Sequence, residues 1–95
     1  MPEDGGGYWL YVLCCEDGSL YTGIALDVEA RFAEHRQGKR GAKYLRGRRP
    51  VSVVYRQPVG SRSRAQRLEY RVRNLSRSRK LALIDGALRL DELAN

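Results

Sequence analysis

The sequence predicts an α/β domain of the α+β type, in which helices flank a small three-stranded central sheet. Two runs rich in aromatic and branched residues, Tyr8–Cys15 and Leu20–Ala25, are joined by the turn sequence Glu16-Asp17-Gly18-Ser19 and predict an antiparallel hairpin. Later segments carry one further strand pattern and three helical patterns. The resulting order β-β-α-β-α-α favours a mixed or antiparallel sheet over a doubly wound one.

The later elements follow from their boundary residues. Asp27 is typical of the N-cap of a helix, which we expect to end near Gln37. A third strand is predicted at 51–56, after a proline, and a loop at 57–62.

Two helices close the chain. Ser63 followed by Gln66 is typical of a capping box, which predicts a helix that ends near Leu75. Ser76 predicts the cap of a last helix, which Gly86 interrupts. We therefore expect one domain at 8–85, a flexible N-terminal tail at 1–7 and a C-terminal extension at 86–95.

Composition indicates a small globular domain with a polyanionic partner. The chain has 95 residues, of which 42% are hydrophobic, and its 18 Lys and Arg against 11 Asp and Glu give a net charge of +7. The alternative is a basic surface that serves solubility alone. No apolar run reaches the length of a membrane span, so we expect no membrane partner.

The two cysteines, Cys14 and Cys15, are adjacent in the first predicted strand. Neighbours in a strand point to opposite faces, so a disulfide between them is disfavoured and a reducing cytoplasm is expected. Two adjacent cysteines and a single histidine also lack the ligand spacing of a zinc site.

Two tyrosines of the hairpin are candidate site residues. Tyr11 and Tyr21 are ten residues apart with the turn between them, which predicts that they face each other across the ladder. The alternative is that both are ordinary strand tyrosines.

Arg31 and His35 are four residues apart and share a helical face with Val28 and Phe32. That face is expected to turn toward the sheet, where an Arg and a His need polar partners such as tyrosine hydroxyls. The alternative is that Arg31 extends to water and His35 bonds a nearby carbonyl.

Glu69 lies at the edge of the apolar stripe formed by Ala65, Leu68 and Val72. Its carboxylate is a hard oxygen ligand suited to Mg²⁺ or Mn²⁺, with water and phosphate completing the shell. The alternative is an ion pair with neighbouring arginines.

A dense basic segment follows the first predicted helix and is typical of a nucleic-acid contact. A solvated loop is the alternative. The predicted nucleic-acid-binding residues are Lys39, Arg40, Lys43, Tyr44, Arg46, Arg48 and Arg49.

This ordered set resembles the GIY-YIG nuclease domain. Trp9-Leu10-Tyr11 stands at the first triplet, Tyr21-Thr22-Gly23 at the second, and Arg31, His35 and Glu69 follow at matching spacings. The resemblance covers 8–83 and is greatest to the small stand-alone bacterial members, long labelled an uncharacterised family. The first triplet keeps its tyrosine but lacks the Gly and Ile of the family pattern.

The resemblance implies an endonuclease that hydrolyses DNA phosphodiester bonds with Mg²⁺ or Mn²⁺, in DNA repair or recombination, with RNA left open as a substrate. It implies that Tyr11 and Tyr21 are the paired catalytic tyrosines and that Arg31 neutralises the scissile phosphate. It further implies that His35 lies near the nucleophile and that Glu69 holds the metal. The alternatives are a basic nucleic-acid-binding module with little or no activity, and a domain that works within a larger complex; a monomer is assumed.

Overall fold

The computed structural model describes residues 7–37 and 49–93. Within these ranges the chain forms three strands, three α-helices and one short 3₁₀ helix, in the order that the sequence predicts. The elements are β1 (Tyr8–Cys15), β2 (Leu20–Ala25), α1 (Val28–Gln37), β3 (Pro50–Gly60), α2 (Arg62–Arg73), α3 (Arg77–Asp85) and the 3₁₀ helix (Leu90–Leu93). The predicted α+β class with a three-stranded sheet is confirmed.

The sheet has the order β2-β1-β3, and both strand pairs are antiparallel. The β1–β2 hairpin turns at Gly18, whose φ of 84° is readily adopted only by glycine. Asp17 supports the turn, because its Oδ1 accepts hydrogen bonds from the Ser19 backbone N–H at 3.0 Å and hydroxyl at 2.6 Å. Since β1 is paired on both sides and covered on both faces, its sequence is almost continuously apolar.

The third strand is longer than predicted. The sequence favours a strand at 51–56 and a loop at 57–62, but β3 runs from Pro50 to Gly60 and α2 begins at Arg62. β3 is an edge strand, and Pro58 pairs opposite Trp9 of β1. On its other side β3 has no neighbouring strand, so a proline, which lacks an N–H, is tolerated there. The loop prediction was wrong, because the pairing of β3 with β1 continues through Pro58 to Gly60.

The sheet separates two apolar clusters. On one face, Leu10 and Val12 of β1 pack with the buried residues of α2 and α3. On the other, Tyr11 and Leu13 pack with α1, through Val28. Alternation along β1 therefore assigns its odd-numbered side chains to the α1 side, where Tyr11 lies.

The cap of α2 also differs from the prediction. Ser61, not Ser63, is the N-cap, and its hydroxyl accepts a hydrogen bond from the Arg64 N–H at 3.1 Å. The helix begins earlier because β3 leads into it without a loop. The predicted cap of α3 is confirmed: Ser76 accepts from the Arg79 N–H, and the helix ends at Gly86 with φ 95°.

Beyond α3, Leu88 and Leu90 are buried in the same cluster as α2 and α3. Within 7–37 and 49–93, no helix is both long enough and apolar enough to cross a membrane.

Candidate active site

Tyr11 and Tyr21 lie on the same face of the β1–β2 hairpin, with ring centroids 6.4 Å apart. They are not directly opposite each other, which corrects the predicted pairing. Tyr11 pairs with Gly23, and Tyr21 pairs with Leu13, so the two rings are diagonal neighbours. Tyr11 is almost fully buried, while Tyr21 is half-buried.

Gly23 makes room for the ring of Tyr11. A Cβ atom at this position would lie 2.5 Å from Tyr11 Oη and 2.6 Å from Cζ. Any side chain here would therefore push the phenol out of its place. The glycine of the second triplet and the tyrosine of the first form one packed unit, which explains physically why both occur in one hairpin.

His35 is buried and forms a hydrogen bond with Tyr11, whose Oη lies 3.1 Å from His35 Nε2. It also contacts Tyr21 in an edge-to-face arrangement, with centroids 5.4 Å apart. Its position is set by α1, which Asp27 caps at the N-terminus: Asp27 Oδ1 accepts a hydrogen bond from the Ala30 N–H at 3.1 Å. The core-facing direction predicted for this helix face is confirmed by the burial of Val28 and His35.

Burial lowers the pKa of His35, and the Arg31 charge lowers it further, while Glu34 acts in the opposite direction. The imidazole is therefore neutral at pH 7. The direction of the Tyr11–His35 hydrogen bond depends on the tautomer: if the Tyr11 hydroxyl donates to Nε2, the neutral ring carries its proton on Nδ1, and in the other tautomer the Nε2–H donates to Tyr11 Oη. That Nδ1 has no hydrogen-bond partner among the described residues.

Burial also raises the pKa of both tyrosines. For Tyr11 the neighbouring Tyr21 adds to the rise and Arg31 opposes it; for Tyr21 the Glu69 carboxylate adds to the rise. Both phenols are thus protonated at neutral pH, and neither is a base on its own.

Arg31 lies on α1 beside the two phenols. Its side chain is 29% exposed, and its guanidinium pairs with Glu34 at 2.8 Å. Its charge acts on Tyr11, Tyr21 and His35, as the pKa of each of these groups shows. The pair with Glu34 holds a cation at the edge of the phenol cluster, where an anion could reach it.

Glu69 approaches the cluster from α2. The stripe Ala65, Leu68 and Val72 is buried, and Glu69 at its edge is half-buried, as the sequence predicts. α2 contacts β2, and the Glu69 charge raises the pKa of Tyr21. The structure therefore brings all five predicted residues, Tyr11, Tyr21, Arg31, His35 and Glu69, into one electrostatically connected group.

The surroundings of Glu69 fit a metal ligand. Burial raises its pKa, Arg73 opposes the rise, and no hydrogen bond or ion pair engages its carboxylate within 7–37 and 49–93. Those ranges hold no group of three or more His, Cys, Asp or Glu side chains that could bind a metal. A single protein carboxylate fits a divalent ion only when phosphate and water supply the remaining oxygens.

Most of the predicted nucleic-acid-binding segment lies outside the described residues. This applies to Lys39, Arg40, Lys43, Tyr44, Arg46 and Arg48, and those predictions stay predictions. Arg49 is exposed, and its backbone carbonyl accepts a hydrogen bond from the Glu16 N–H at 2.9 Å.

The sequence did not identify two supporting residues. Gly23 was noted only as part of a triplet, although its place opposite Tyr11 requires a glycine. Glu34 precedes His35, and its spacing of three residues from Arg31 is the signal that could have indicated the ion pair.

The fold agrees with comparisons to known proteins. Residues 7–82 match the family model described as the GIY-YIG catalytic domain, and the chain belongs to that family. Among its relatives are UPF0213 proteins of similar size. One from Cronobacter sakazakii is 45% identical over 86 residues, which cover 90% of each chain. One from Vibrio cholerae is 46% identical over 94 residues, covering 98% of this chain and 92% of the relative.

A solved structure is also similar. It is the solution NMR structure of a UPF0213 protein from Bacillus halodurans, with 43% identity, 83% coverage of both chains and a TM-score of 0.54. The resemblance that the sequence indicated, to the small bacterial branch of the family, is confirmed.

Proposed function

We propose that this chain is a metal-dependent endonuclease that hydrolyses DNA phosphodiester bonds by nicking or by structure-selective cutting. The observation that carries the proposal is the 3.1 Å contact between Tyr11 Oη and His35 Nε2 beside Glu69, in a chain that belongs to a family of catalytic domains. We further propose a setting in DNA repair or recombination, as the family resemblance implies.

The proposed proton path runs through Tyr11. Because its pKa is raised, the phenol cannot take a proton from water unless it loses its own. Neutral His35 is placed to receive that proton at Nε2. Water thus gives a proton to Tyr11 Oη as Tyr11 gives one to His35, and the resulting hydroxide attacks phosphorus while the bond to the leaving oxygen breaks.

Two further residues act on the phosphate. The Arg31 guanidinium neutralises the negative charge that grows on the equatorial oxygens. Glu69 would hold Mg²⁺ or Mn²⁺, which when bound supplies charge to polarise a phosphate oxygen and to stabilise the leaving alkoxide. One carboxylate binds such an ion weakly, so the substrate's own phosphate is part of the binding site.

The test is metal-dependent nicking of supercoiled plasmid by wild type and Glu69→Gln. Glu92→Gln is the matched control, because Glu92 is an exposed glutamate of the 3₁₀ helix. We expect Glu69→Gln to lose at least about a hundredfold in rate, since a catalytic ion contributes several kcal/mol. Glu92→Gln should nick like wild type.

The excess of arginine favours one second candidate, a nucleic-acid-binding module with little or no catalysis. A binding module of this kind would bind DNA in a salt-sensitive way and would not nick it with either Mg²⁺ or Mn²⁺. Equal nicking by wild type and Glu69→Gln would contradict the proposed function.

A further inference from the structure

We propose that the outer face of α2 is a stacking platform for an unpaired nucleotide next to the scissile phosphate, with the Tyr70 ring as its centre. The proposal rests on the proposed nuclease function and names the substrate feature that the site would select. The residues that it uses are not those of the basic segment after α1.

Tyr70 is unusually exposed for an aromatic residue. Its side chain is 71% exposed, more than any other large hydrophobic residue on the described surface. It borders a shallow groove of about 550 Å³, a size found for ligand sites, lined by Ser63, Gln66, Arg67, Tyr70 and Arg71. An exposed aromatic ring at the border of such a groove offers a surface on which a base can stack.

The charge of this helix suits a polyanion. α2 carries five arginines and one glutamate, and within 7–37 and 49–93 none of the five forms an ion pair. By contrast, Arg31, Arg56 and Arg89 each pair with a carboxylate. Arg67 is instead held along the helix by Ser63, whose Oγ lies 3.4 Å from Arg67 Nη1. The arginines of α2 are therefore available to phosphate.

The platform is continuous with the candidate active site. Residues three and four apart on a helix are surface neighbours. Gln66 and Arg73 thus each adjoin both Glu69 and Tyr70. A strand whose phosphate lies at Glu69 can pass over these two residues and place a flanking base on the Tyr70 ring.

The ring favours single strands over duplex. Within a duplex the base faces are covered by their stacked neighbours, so they are not available to a side chain. The α2 arginines contact phosphate in either form. The platform therefore selects substrates with an unpaired base beside the cut, such as gaps, flaps and single-stranded ends.

The test measures binding without metal, so that cleavage plays no part. Fluorescence anisotropy is recorded with a single-stranded oligonucleotide and with a blunt duplex, for wild type, Tyr70→Ala, Tyr70→Phe and the control Leu81→Ala. Leu81 is an exposed apolar residue of α3. We expect Tyr70→Ala to bind the single strand about tenfold more weakly and the duplex unchanged. Tyr70→Phe keeps the ring and should bind like wild type, as should Leu81→Ala.

Arg67→Ala is an independent test. It should weaken the binding of both oligonucleotides, and it should lower by about one the slope of the logarithm of the binding constant against the logarithm of the salt concentration. The proposal is overturned if Tyr70→Ala binds the single strand like wild type, or loses duplex binding equally. Plasmid nicking by wild type is measured separately. If wild type nicks plasmid but Tyr70→Ala binds the single strand like wild type, only the stacking platform is rejected. If Tyr70→Ala weakens single-strand binding but wild type does not nick plasmid, only the nuclease function is rejected.

Discussion

Gly23 lies directly opposite Tyr11, and its lack of a side chain allows the hairpin to hold a buried tyrosine beside His35. The ring of Tyr11 occupies the space that a Cβ atom would take. The absence of a Cβ atom at Gly23 therefore allows the phenol to take this position. The hydrogen bond that the proposed proton path uses depends on that position.

We predict that Gly23→Ala destabilises the fold by about 1–3 kcal/mol, the usual cost of overpacking a core. Urea denaturation measures the change. Gly7→Ala is the matched control, because a Cβ there would meet Gly60 Cα at 3.6 Å, an ordinary contact. If the two variants were equally stable, the close packing of Tyr11 on Gly23 would be wrong.

His35 gives the molecule a pH dependence whose sign follows from its environment. Its pKa is lowered in the folded state, so the unfolded chain binds the proton more readily below about pH 6.5. We predict that the free energy of unfolding falls as the pH is lowered through this value, by at most about 1.4 kcal/mol per pH unit. The groups facing the ring are Tyr11, Tyr21, Arg31 and Glu34.

Glu69 acts in the opposite sense. Its pKa is raised in the folded state, so its contribution to stability increases as the pH falls toward its unfolded value. Denaturation from pH 7.5 to 4.5 should therefore show a flatter profile for His35→Gln and a steeper acid loss for Glu69→Gln. A wild-type profile that matched His35→Gln would show that His35 is not held neutral by the fold.

At the scale of elements, the transition from β3 to α2 decides where Glu69 lies. β3 continues past Pro58, and Ser61 caps the helix immediately after it. The start of α2 is thus fixed by the end of an edge strand. Because a helix turns by about 100° per residue, a shifted start would rotate Glu69 away from Tyr21.

We predict that Ser61→Ala lowers the free energy of unfolding by about 1 kcal/mol, because it leaves the Arg64 N–H without its capping acceptor. Ser63→Ala is the matched control and should change stability by less than about 0.5 kcal/mol. Thermal and urea denaturation compare the two. A larger loss for Ser63→Ala would restore the capping box that the sequence favoured.

The same elements show what the sequence could and could not predict. The hairpin, α1 and the cap of α3 were predicted because each has a local signal: the Asp-Gly turn, Asp27 and Ser76. The length of β3 was missed because whether Pro58 breaks a strand depends on its being at a sheet edge, which only the topology reveals.

The site shows the same division. Helical spacing was enough to assign Arg31 and His35 to one face and Glu69 to a stripe edge. The hairpin register was not, since a shift by two residues keeps the same faces but changes the opposing partner. Tyr11 therefore pairs with Gly23 and lies diagonal to Tyr21, an arrangement that depends on the turn geometry.

At the scale of the whole molecule, the sheet separates the larger apolar core on one face from the candidate active site on the other. One face of β1 packs against α2 and α3 and forms the larger apolar cluster, while the other holds Tyr11 under α1. Glu69 joins the second group from a helix of the first, because α2 contacts β2 at the edge of the sheet. The five-residue group thus draws on β1, β2, α1 and α2, and no single element carries it.

The most direct test of the proposed mechanism is single-turnover nicking of a phosphodiester substrate by wild type and Tyr11→Phe. Removal of the hydroxyl breaks the contact with His35 and costs about 1–3 kcal/mol of stability, so both proteins are compared well below their melting temperatures. We predict that Tyr11→Phe binds the substrate like wild type but cleaves it at least about a hundredfold more slowly, as expected for loss of proton transfer. Cleavage by folded Tyr11→Phe at the wild-type rate would contradict a proton path through Tyr11 and His35.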